Sequence, residues 1–447
     1  MAHTKFNKFI VKTIAAEINR FSKYYDQVMQ ICPIEDDQQY LLEKIQCQDK
    51  TTINDISDIE MEATNTRRVF LLNGNMNYDT DIETQLKNLF SHMSRSDRLV
   101  TVLFNPYFRW FYRLAHLIGL RKKEGRPVTF VTRSNLDNLC KLCGYEVVKL
   151  RTAAYSPLRL WGLGEIINRI LPAIPLIKWL SLATVVVLRP IKPSAEKPSL
   201  AIVIPARNEA GNIENALVRM PEMPGVDIQI IFVEGNSTDH TWEEIQRVVA
   251  MDKYKQYRPM ALQQTGKGKK DAVMLGFNSA NSDVLTILDA DLTMPPEALP
   301  RFYEAYTSGS ADMINGNRLM YPMEEEAMRF LNRLGNLFFA KTLSRVLDIS
   351  IGDSLCGTKM ISREDHHRFL AWLEDFGEFD PFGDFQLLFP SSELCLGTVD
   401  IPICYGARSY GSTNIDRFRH GWMLLKMTAQ GFLKIKAGAK VGDSSDD

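Results

Sequence analysis

The sequence predicts an α/β protein with two domains. Its 447 residues exceed the roughly 250–300 at which a single hydrophobic core stops growing. Apolar strands alternate with helical patterns in both halves, which is typical of sheets built from parallel strand-helix-strand units. The stretch RPIKPSAEKPS (189–199) concentrates proline and charge as a linker does. We therefore expect domains over 1–190 and 199–440, a linker over 191–198 and a disordered acidic tail over 441–447.

The composition is that of an ordinary soluble globular protein. Apolar residues make up 45% of the chain and charged residues 24%. The net charge of −1 gives no bulk attraction for nucleic acid. Seven scattered cysteines and no evident signal peptide predict reduced thiols and a cytoplasmic location. Cys140 and Cys143 lack the second ligand pair of a zinc site, and we expect them to pack in a core.

Neither half predicts a helix that spans a membrane. No uninterrupted apolar run reaches the required length of about 18 residues. Residues 166–188 come closest, but Arg169, Lys178 and two prolines interrupt them. Two interpretations stay open for this segment: soluble structure that ends in a strand over 183–188, or peripheral contact with a membrane surface.

In the N-terminal domain, residues 9–29 predict an amphipathic helix, and residues 33–63 are too polar for an assignment. From residue 68 onward, strand and helix patterns alternate. The predicted strands are 68–74, 98–105, the end of 134–150, and 183–188; the predicted helices are 81–93, 108–120 and the start of 134–150.

The C-terminal domain begins with three strand-helix units. The strands are LAIVIP (200–205), IQIIFVEG (228–235) and DVLTILDAD (283–291), each followed by a helical pattern. Ligands of parallel sheets bind at the carboxyl ends of the strands. Polar residues occur at all three ends: Asn208 with Glu209, the run from Glu234 to Asp239, and Asp289 with Asp291. One shared cleft would explain all three.

Asp289 and Asp291 follow a buried strand and precede Pro295 and Pro296, which cannot continue it. Carboxylates at this spacing can both face one hard cation, which prefers oxygen ligands and also binds phosphate. The alternative is that they cap the helix that begins near Pro295.

The run from Glu234 to Asp239 also has two interpretations. Ser237, Thr238 or Asp239 can cap the following helix. Glu234 is not needed as a cap, and its carboxylate suits the donors of a base or a ribose.

A glycine-lysine loop, TGKGKKDAV (265–273), leads into a helix. Its lysines form either a solvated face or a diphosphate site at the helix N-terminus. Lys267, Lys270 and Asp271 are the candidate nucleotide-binding residues. Neither the Walker pattern nor G-x-G-x-x-G occurs, which counts against the corresponding nucleotide sites.

Seven motifs follow one another between residues 199 and 420: LAIVIPARNEAGNI, VEGNSTDHT, GKGKKDAV, LDADLTMPPE, GNR, GDSLCGTKMISRE and Y-x-x-R-x-Y-G-x-T-N. In this order and spacing they resemble family 2 glycosyltransferases with the GT-A fold, most like dolichyl- and polyprenyl-phosphate sugar synthases. Any one motif is weak, but seven in order are specific.

The resemblance implies that Glu234 contacts the nucleoside, and that Asp289 and Asp291 hold Mg²⁺ or Mn²⁺ against the diphosphate of a nucleotide-diphospho sugar. It further implies that the nucleotide site includes Pro205, Arg207, Glu209 and Ala290, and that Arg318, Asp353 and Arg408 lie toward the acceptor.

The chain departs from the family pattern at two positions. The family usually has two aspartates where this chain has Glu234 and Gly235, so the identity of the base is open. The usual glutamine two residues after the metal aspartates is Thr293 here, which would leave that metal position to water.

The implied mechanism is one displacement that inverts the anomeric carbon, as expected of a hexosyltransferase of this family. A lipid-phosphate acceptor is already anionic near pH 7 and needs arginines, whereas a glycan hydroxyl needs a base, for which Asp353 and Asp384 are the candidates. Arg318, Arg408, Arg417 and Arg419 favour the phosphate.

Three other features predict structure more than chemistry. We expect His366 and His367 on the surface of a helix, and FGEFDPFGDF (376–385) as a packed corner. Residues 420–438 form either a core helix or a membrane-contacting one, and Lys434, Lys436 and Lys440 favour the latter.

The N-terminal strand and helix order over 66–190 resembles the later half of a class I S-adenosylmethionine methyltransferase. No D-x-G-x-G turn occurs in residues 1–65, and the cofactor needs such glycines for close backbone approach. The resemblance therefore implies a degenerate domain that serves as a scaffold or partner platform, unless a divergent loop lies in 33–63.

Three functions follow from these patterns. The main prediction is a metal-dependent glycosyltransferase with a polyprenyl phosphate or other membrane-proximal acceptor, as in the synthesis of cell-envelope polysaccharide. The alternatives are a methyltransferase whose second domain binds sugar nucleotides, and a non-catalytic binding protein.

Overall fold

The computed structural model describes residues 2–33, 36–59, 66–117, 127–322, 330–377, 380, 383–406, 410 and 417–436. Two compact units emerge. Unit 1 comprises residues up to Lys192, together with 392–395 and the residues from Phe432, and unit 2 comprises Pro193–Ser391 and Leu396–Gly431. The chain thus changes units inside the predicted linker, and it returns to unit 1 twice. The predicted domain boundaries stay a prediction.

Unit 1 is built on a six-stranded sheet with the order β2-β1-β3-β4-β6-β5. Five strands run parallel, and β6 is antiparallel to both of its neighbours. The elements are α1 (Ala2–Ser22), β1 (Gln27–Ile31), α2 (Asp36–Lys44), β2 (Asp49–Ile53), β3 (Arg68–Asn73), α3 (Ile82–His92), β4 (Arg98–Phe104), α4 (Arg109–Leu117), α5 (Arg133–Cys143), β5 (Tyr145–Ala153), α6 (Leu163–Ile170) and β6 (Ala183–Pro190).

The strands and helices predicted from residue 68 onward are confirmed as elements of unit 1, except that residues 118–120 of the predicted helix over 108–120 lie outside the described residues. The predicted helix over 9–29 is wrong at its end, because α1 stops at Ser22 and β1 begins at Gln27. Buried Tyr25 lies between them and donates its hydroxyl to the carbonyl of Leu394, 3.1 Å away. A tertiary contact therefore ends the apolar helical pattern.

Cys140 and Cys143 lie in the core of unit 1, as predicted. They are 3% and 5% exposed and pack with Leu136 and Tyr145. Burial raises the pKa of the Cys140 thiol to about 12. At that pKa the thiol stays protonated and behaves as a small apolar group.

Glu393 is held inside unit 1 by three cations. Its carboxylate lies 2.7 Å from Lys149, 3.0 Å from Arg20 and 3.8 Å from Arg151, and its side chain is 6% exposed. Burial alone would raise the pKa of Glu393, but the three cations hold it far below its usual range. This cluster fixes segment 392–395 in unit 1.

Unit 2 contains a seven-stranded sheet with the order β13-β11-β12-β10-β7-β8-β9, in which β12 alone is antiparallel to its neighbours. Both units are therefore α/β with mixed, mostly parallel sheets. The elements are β7 (Leu200–Ala206), α7 (Ile213–Val218), β8 (Ile228–Glu234), α8 (Thr241–Val249), β9 (Met260–Gln263), α9 (Lys269–Ser279), β10 (Val284–Ile287), α10 (Leu299–Thr307), β11 (Met313–Asn317), α11 (Phe330–Leu347), β12 (Lys359–Ser362), α12 (Arg363–Phe376), α13 (Phe385–Glu393), β13 (Thr398–Pro402) and α14 (Arg417–Gly431).

The central strands of unit 2 are apolar because both faces of the sheet are covered. Every residue of β8 is buried, as is every residue of β10. Continuous apolar runs of this kind are typical of parallel strands between two helical layers. On one face, Gly276 of α9 lies against Val203 of β7, and a Cβ at Gly276 would overlap the valine. The glycine therefore sets the close approach of helix and sheet.

One of the two histidines of α12 differs from the prediction. His367 is exposed, but His366 is buried, so the predicted surface position of His366 is wrong. His366 packs edge-on against Phe277 and its Nε2 lies 3.0 Å from Oδ1 of Asn278. Burial lowers the pKa of His366 to about 4.

Within the described ranges, no helix combines the length and the apolar character needed to cross a membrane. The predicted tail over 441–447 lies outside the described residues, and so do four positions of the predicted corner over 376–385.

Candidate functional site

The loops that follow β7 and β8 are hydrogen-bonded to each other. The backbone N–H of Asn208 donates to Oγ of Ser237 over 3.0 Å, and that of Thr238 donates to Oδ1 of Asn208 over 2.8 Å. Asn208 and Asn236 both have positive φ, at 56° and 58°, which asparagine tolerates better than most residues. The two strand ends therefore form one connected rim, as expected for a shared cleft.

Glu234 ends β8 and is 3% exposed. Its Oε1 accepts a short hydrogen bond from the backbone N–H of Ser237. Among the described residues, no hydrogen bond to Oε2 is formed. The carboxylate is thus fixed in orientation with one oxygen available to a donor.

Gly235 has little space for a side chain. A Cβ there would lie 3.2 Å from Cβ of Arg207 and 3.3 Å from the carbonyl oxygen of Ala206. Its N–H donates to that same carbonyl over 2.8 Å. The close pairing of the two strand ends therefore favours glycine at position 235.

The glycine-lysine loop is organised by Asp271. The Oδ2 atom of Asp271 accepts from the N–H of Gly266 over 3.1 Å, while Asn236 donates to the carbonyl of Gly266 over 3.2 Å. Asp271 therefore shapes the loop from the first turn of α9. Lys267 is exposed and Lys270 is half-buried.

Asp289 forms an ion pair with Lys269, the first residue of α9. The two side chains are 29% and 34% exposed. Burial opposes both charges, but each charge stabilises the other, so the pKa of Asp289 is lowered and that of Lys269 is raised. Arg318 and Lys359 also lower the pKa of Asp289. Asp289 is thus ionised at the edge of a cationic cluster.

Gly357 borders this ion pair. A Cβ on Gly357 would overlap both Nζ of Lys269 and the carboxylate of Asp289. The glycine of the GDSLCGTK motif therefore makes room for the pair.

Asp291 is oriented by Thr293. Its Oδ1 accepts from the backbone N–H of Thr293 over 3.1 Å and from the hydroxyl over 2.8 Å. Neither aspartate stands at the N-cap of a following helix, since Pro295 precedes the 3-10 turn 296–298 and Ala298 precedes α10. Thr293 instead holds the second carboxylate at the strand end.

Arg318 and Asp353 form a bidentate pair. Nε of Arg318 lies 2.6 Å from Oδ2 and Nη2 lies 2.9 Å from Oδ1. Asp353 also accepts from the backbone N–H groups of Arg318 and Leu355, each over 3.1 Å. The side chain of Asp353 is fully buried. Burial alone would raise its pKa, but Arg318 holds it below the usual range.

These contacts argue against Asp353 as a general base. A base must reach the acceptor proton and must take it up readily. Asp353 is buried, saturated with hydrogen bonds and has a lowered pKa. Its geometry instead orients Arg318, whose guanidinium also lies over the ring of Tyr405 at 5.3 Å.

Asp384 is paired with Lys359 at 2.9 Å, and its side chain is 14% exposed. Lys359 is fully buried and also donates to the carbonyl of Cys356. Asp384 contributes to raising the pKa of Lys269, so the two ion pairs are electrostatic neighbours. Of the two candidate bases, Asp384 is the more accessible.

The remaining predicted site residues lie at the end of β7 or outside the described ranges. Pro205 is half-buried, Arg207 is exposed, and buried Glu209 accepts from Nδ2 of Asn212 over 2.7 Å. Ala290 is buried between the two aspartates. Arg408 lies outside the described residues.

Asp289 and Asp291 fit a divalent cation that is completed by substrate. Within the described residues, no group of three or more His, Cys, Asp or Glu side chains is arranged to hold a metal ion. Mg²⁺ in phosphate-transfer sites is commonly held by one or two carboxylates, with phosphate oxygens and water filling the other positions. Two carboxylates at one strand end match this donor set.

Sequence reasoning missed Lys269 and Lys359 as site residues. Lys269 is one of three lysines in the same loop, and what distinguishes it from the other two is that α9 begins at residue 269. Lys359 stands in the GDSLCGTK motif, and its burial beside Asp384 gave no sequence signal.

The comparisons with known proteins concern the C-terminal half. Residues 201–370 match the model of the family described as Glycosyl transferase family 2. The chain is 28% identical over 243 residues to the dolichol-phosphate mannosyltransferase of Pyrococcus furiosus, which covers 51% of this chain and 64% of the relative. It is 27% identical over 222 residues to the dolichyl-phosphate hexose transferase of Haloferax volcanii, covering 50% of this chain and 89% of the relative.

Solved structures show weaker likeness. Glucosyl-3-phosphoglycerate synthase of Mycobacterium tuberculosis, solved with Mn²⁺ and UDP-glucose, is 19% identical, with 55% of this chain and 81% of that chain covered at a TM-score of 0.38. A mannosyltransferase of Pyrobaculum calidifontis, solved with GDP-mannose and Mn²⁺, is 17% identical, with 55% and 66% covered at 0.37. These scores are too low to transfer a ligand to this chain.

The family match spans β7 to α12 and includes Glu234, Asp289, Asp291, Arg318 and Asp353. Curated relatives with dolichyl-phosphate names match about half of this chain. Residues 201–370 therefore resemble glycosyl transferase family 2, and the named relatives that match this half of the chain are sugar transferases.

Proposed function

We propose that unit 2 is a GT-A glycosyltransferase that transfers a hexose from a nucleotide-diphospho sugar to a polyprenyl phosphate, with inversion at the anomeric carbon. The observation that carries the proposal is the paired charge at the end of β10. There Asp289 is ion-paired with Lys269, and Asp291 is held in one orientation by the hydroxyl of Thr293.

The donor occupies the rim formed by the β7 and β8 loops. Glu234 accepts a hydrogen bond from the base or ribose through Oε2, while the side chains of Arg207 and Lys267 are exposed to a bound anion. The glycine-lysine loop presents backbone N–H groups and lysines to the diphosphate, which suits an anion at the start of α9.

Leaving of the nucleoside diphosphate builds negative charge that the site must stabilise. Asp289 and Asp291 would hold Mg²⁺ or Mn²⁺, which when bound acts as a Lewis acid on the diphosphate. Lys269 then exchanges its carboxylate partner for a phosphate oxygen and remains beside the leaving group. Lys269 and Asp289, which form this ion pair, are both partly exposed.

The acceptor side favours an anion over a hydroxyl. Arg318 is fixed by Asp353 in a bidentate pair, and a fixed guanidinium suits a phosphate. The more accessible carboxylate, Asp384, is already bound to Lys359. A phosphomonoester needs no base, since its second pKa is about 6.

A face of unit 2 suits a lipid-linked acceptor. Helices α11 and α14 pack together, and neither contains an aspartate or a glutamate. Leu334, Leu337 and Phe338 on α11 and Trp422 and Leu425 on α14 are 43% to 72% exposed. Apolar side chains mixed with basic ones are typical of helices that lie in a membrane interface. In the predicted helix over 420–438, Leu424, Met427 and Lys436 are buried, whereas Trp422 and Leu425 are exposed. Residues 437–438 and Lys440 lie outside the described ranges.

The proposal is tested by transfer to two matched acceptors. The full chain is incubated with radiolabelled UDP-glucose or GDP-mannose, Mn²⁺, and either a polyprenyl phosphate or the polyprenol of the same length. We expect labelled lipid from the phosphate alone. Transfer to the polyprenol, abolished by Asp384→Asn, would contradict the phosphate acceptor. Transfer to neither lipid with any donor would contradict the proposed function.

We further propose that unit 1 is a degenerate methyltransferase-like scaffold. The strand order reverses between β1 and β3, where a cofactor of an open α/β sheet binds. At that point Nδ2 of buried Asn75 donates to the carbonyls of Ile31 and Cys32, over 3.0 and 2.8 Å. This amide occupies two backbone acceptors at the carboxyl end of β1. Thermal stabilisation by S-adenosylmethionine would contradict the scaffold role.

A further inference from the structure

Helix α6 of unit 1 has its apolar face turned outward. Leu163, Ile166 and Ile170 recur at helical spacing and are 55%, 53% and 47% exposed. The buried positions are Gly164 and Asn168. A helix that packs on a core normally shows the reverse arrangement.

Hydrogen bonds at Asn168 fix this orientation. Its Oδ1 accepts from the backbone N–H groups of Tyr155 and Ser156, both over 2.7 Å, and its Nδ2 donates to the carbonyl of Ser156 over 2.9 Å. Asn168 is 6% exposed. Rotation of α6 to bury its isoleucines would break all three bonds and leave buried groups unpaired.

Trp161 extends the outward face. It precedes α6 and is fully exposed. Leu160 and Trp161 both have positive φ, at 45° and 53°, a conformation that such residues rarely adopt. The backbone is thus bent so that a large aromatic side chain projects into solvent next to Leu163.

Further exposed apolar side chains follow along the chain between α6 and β6. Trp179 and Ile174 are 57% and 40% exposed. Asn105 donates to the carbonyls of Trp179 and Ser181, over 2.7 and 2.6 Å, and so joins this segment to the start of α4. On α4, Trp110 and Leu114 are also exposed. We use the name tryptophan face for Trp161, Leu163, Ile166, Ile170 and Trp179.

The charges within the segment are mainly positive. The basic residues Arg159, Arg169 and Lys178 lie among the apolar ones. The sequence from 158 to 180 contains one acidic residue, Glu165, which lies 3.1 Å from Arg159. Tryptophan is enriched where proteins meet the headgroup region of a bilayer, and basic residues favour anionic lipids.

We propose that the tryptophan face binds the surface of an anionic phospholipid bilayer. Trp161 and Trp179 lie at the level of the headgroups, Ile166 and Ile170 enter the acyl boundary, and the basic side chains contact lipid phosphates. This inference does not depend on the chemistry of unit 2. Binding of the tryptophan face would, however, bring the chain to the membrane that holds a lipid acceptor.

The test is flotation of the full-length chain with vesicles of phosphatidylcholine, with and without phosphatidylglycerol. We expect binding to the anionic vesicles that weakens with salt. Ile166→Glu should reduce binding roughly tenfold, because an apolar anchor becomes a charge opposite an anionic surface. Leu142→Glu is the matched control, since Leu142 is 62% exposed on α5 of the same unit, and it should float like the wild type.

Two further measurements separate this proposal from its rivals. Leu337→Glu on α11 reports on unit 2; if it abolishes flotation and Ile166→Glu does not, the tryptophan face is not a membrane site, while the proposed function is untouched. If light scattering shows a dimer that Ile166→Glu dissociates, with no vesicle binding by the wild type, the face is a subunit interface and the proposal is overturned. Loss of flotation in Ile166→Glu together with no glycosyl transfer by the wild type would refute the proposed function alone.

Discussion

Lys269 and Asp289 form an ion pair at the carboxyl end of β10, across 20 residues of sequence. Lys269 therefore contacts the same carboxylate that would have to bind the cation of the sugar donor. We infer that a cation and a diphosphate would bind together, because Lys269 would pair with a phosphate oxygen when a cation takes its place beside Asp289.

Lys269→Gln tests this exchange. Removing the cationic side chain should strengthen Mn²⁺ binding in the absence of nucleotide, because Asp289 loses its competing partner. It should also lower the rate of transfer roughly 100–1000-fold, as loss of one preorganised donor does. Calorimetric titration with Mn²⁺ and transfer assays measure both effects. Lys255→Gln, at an exposed pair with Asp252, is the control. Weaker Mn²⁺ binding in Lys269→Gln would contradict the exchange.

Asp353→Asn distinguishes a positioning residue from a base. It would leave the guanidinium of Arg318 in a buried site without its charged partner, which costs about 3–5 kcal/mol of the free energy of unfolding. Urea denaturation measures that loss, and Asp252→Asn at the exposed pair should cost less than about 1 kcal/mol. A variant of unchanged stability whose transfer rate is restored at high pH would identify Asp353 as a base.

Glu393→Gln should destabilise the protein by about 3–5 kcal/mol, because three cations would lose their shared carboxylate inside unit 1. The lowered pKa of Glu393 gives stability that is present above its ordinary value of 4.5 and is lost as the pH falls below it. Denaturation at pH 7 and pH 4 measures both effects. Glu83→Gln, at an exposed pair with Lys87, should change stability little. A Glu393→Gln variant as stable as the wild type would show that the cluster does not hold segment 392–395.

His366 should make stability depend on pH in a higher window. Its folded pKa of about 4 lies below the ordinary 6.5, so the unfolded chain binds a proton first. Stability is therefore complete above pH 6.5 and falls by about 3 kcal/mol as the pH drops to 4. His366→Gln should flatten this dependence and His367→Gln, at the exposed neighbour, should not. Equal slopes for both variants would contradict the burial of the His366 charge.

The sequence predicted the elements of the sheets better than the pairing of charges. Strands such as β8 and β10 are buried throughout because both faces of the sheet are covered. The resulting runs of apolar residues can be recognised in the sequence alone. The end of α1 could not be recognised in this way, because Tyr25 turns inward and donates to the carbonyl of Leu394, which is distant in sequence.

The same distinction applies to the site. The aspartates at the end of β10 were predicted from their position after an apolar strand. Their partners were not, since Lys269 and Lys359 come from a helix start and a separate strand. Asp353 looked like a base in the sequence, and only its bidentate contact with Arg318 assigns it another role.

Asp289 and Asp291 should form a cation-dependent site for a nucleoside diphosphate, and the function proposed for unit 2 rests on that site. Thermal stability should be measured with UDP, GDP, CMP and S-adenosylmethionine, each with and without Mn²⁺, since a ligand bound to the native state alone raises apparent stability. We predict a Mn²⁺-dependent rise with one nucleoside diphosphate, lost in Asp289→Asn, and no transfer by a normally folded Asp291→Asn. A rise with S-adenosylmethionine alone, or normal turnover by Asp291→Asn, would contradict the proposed site.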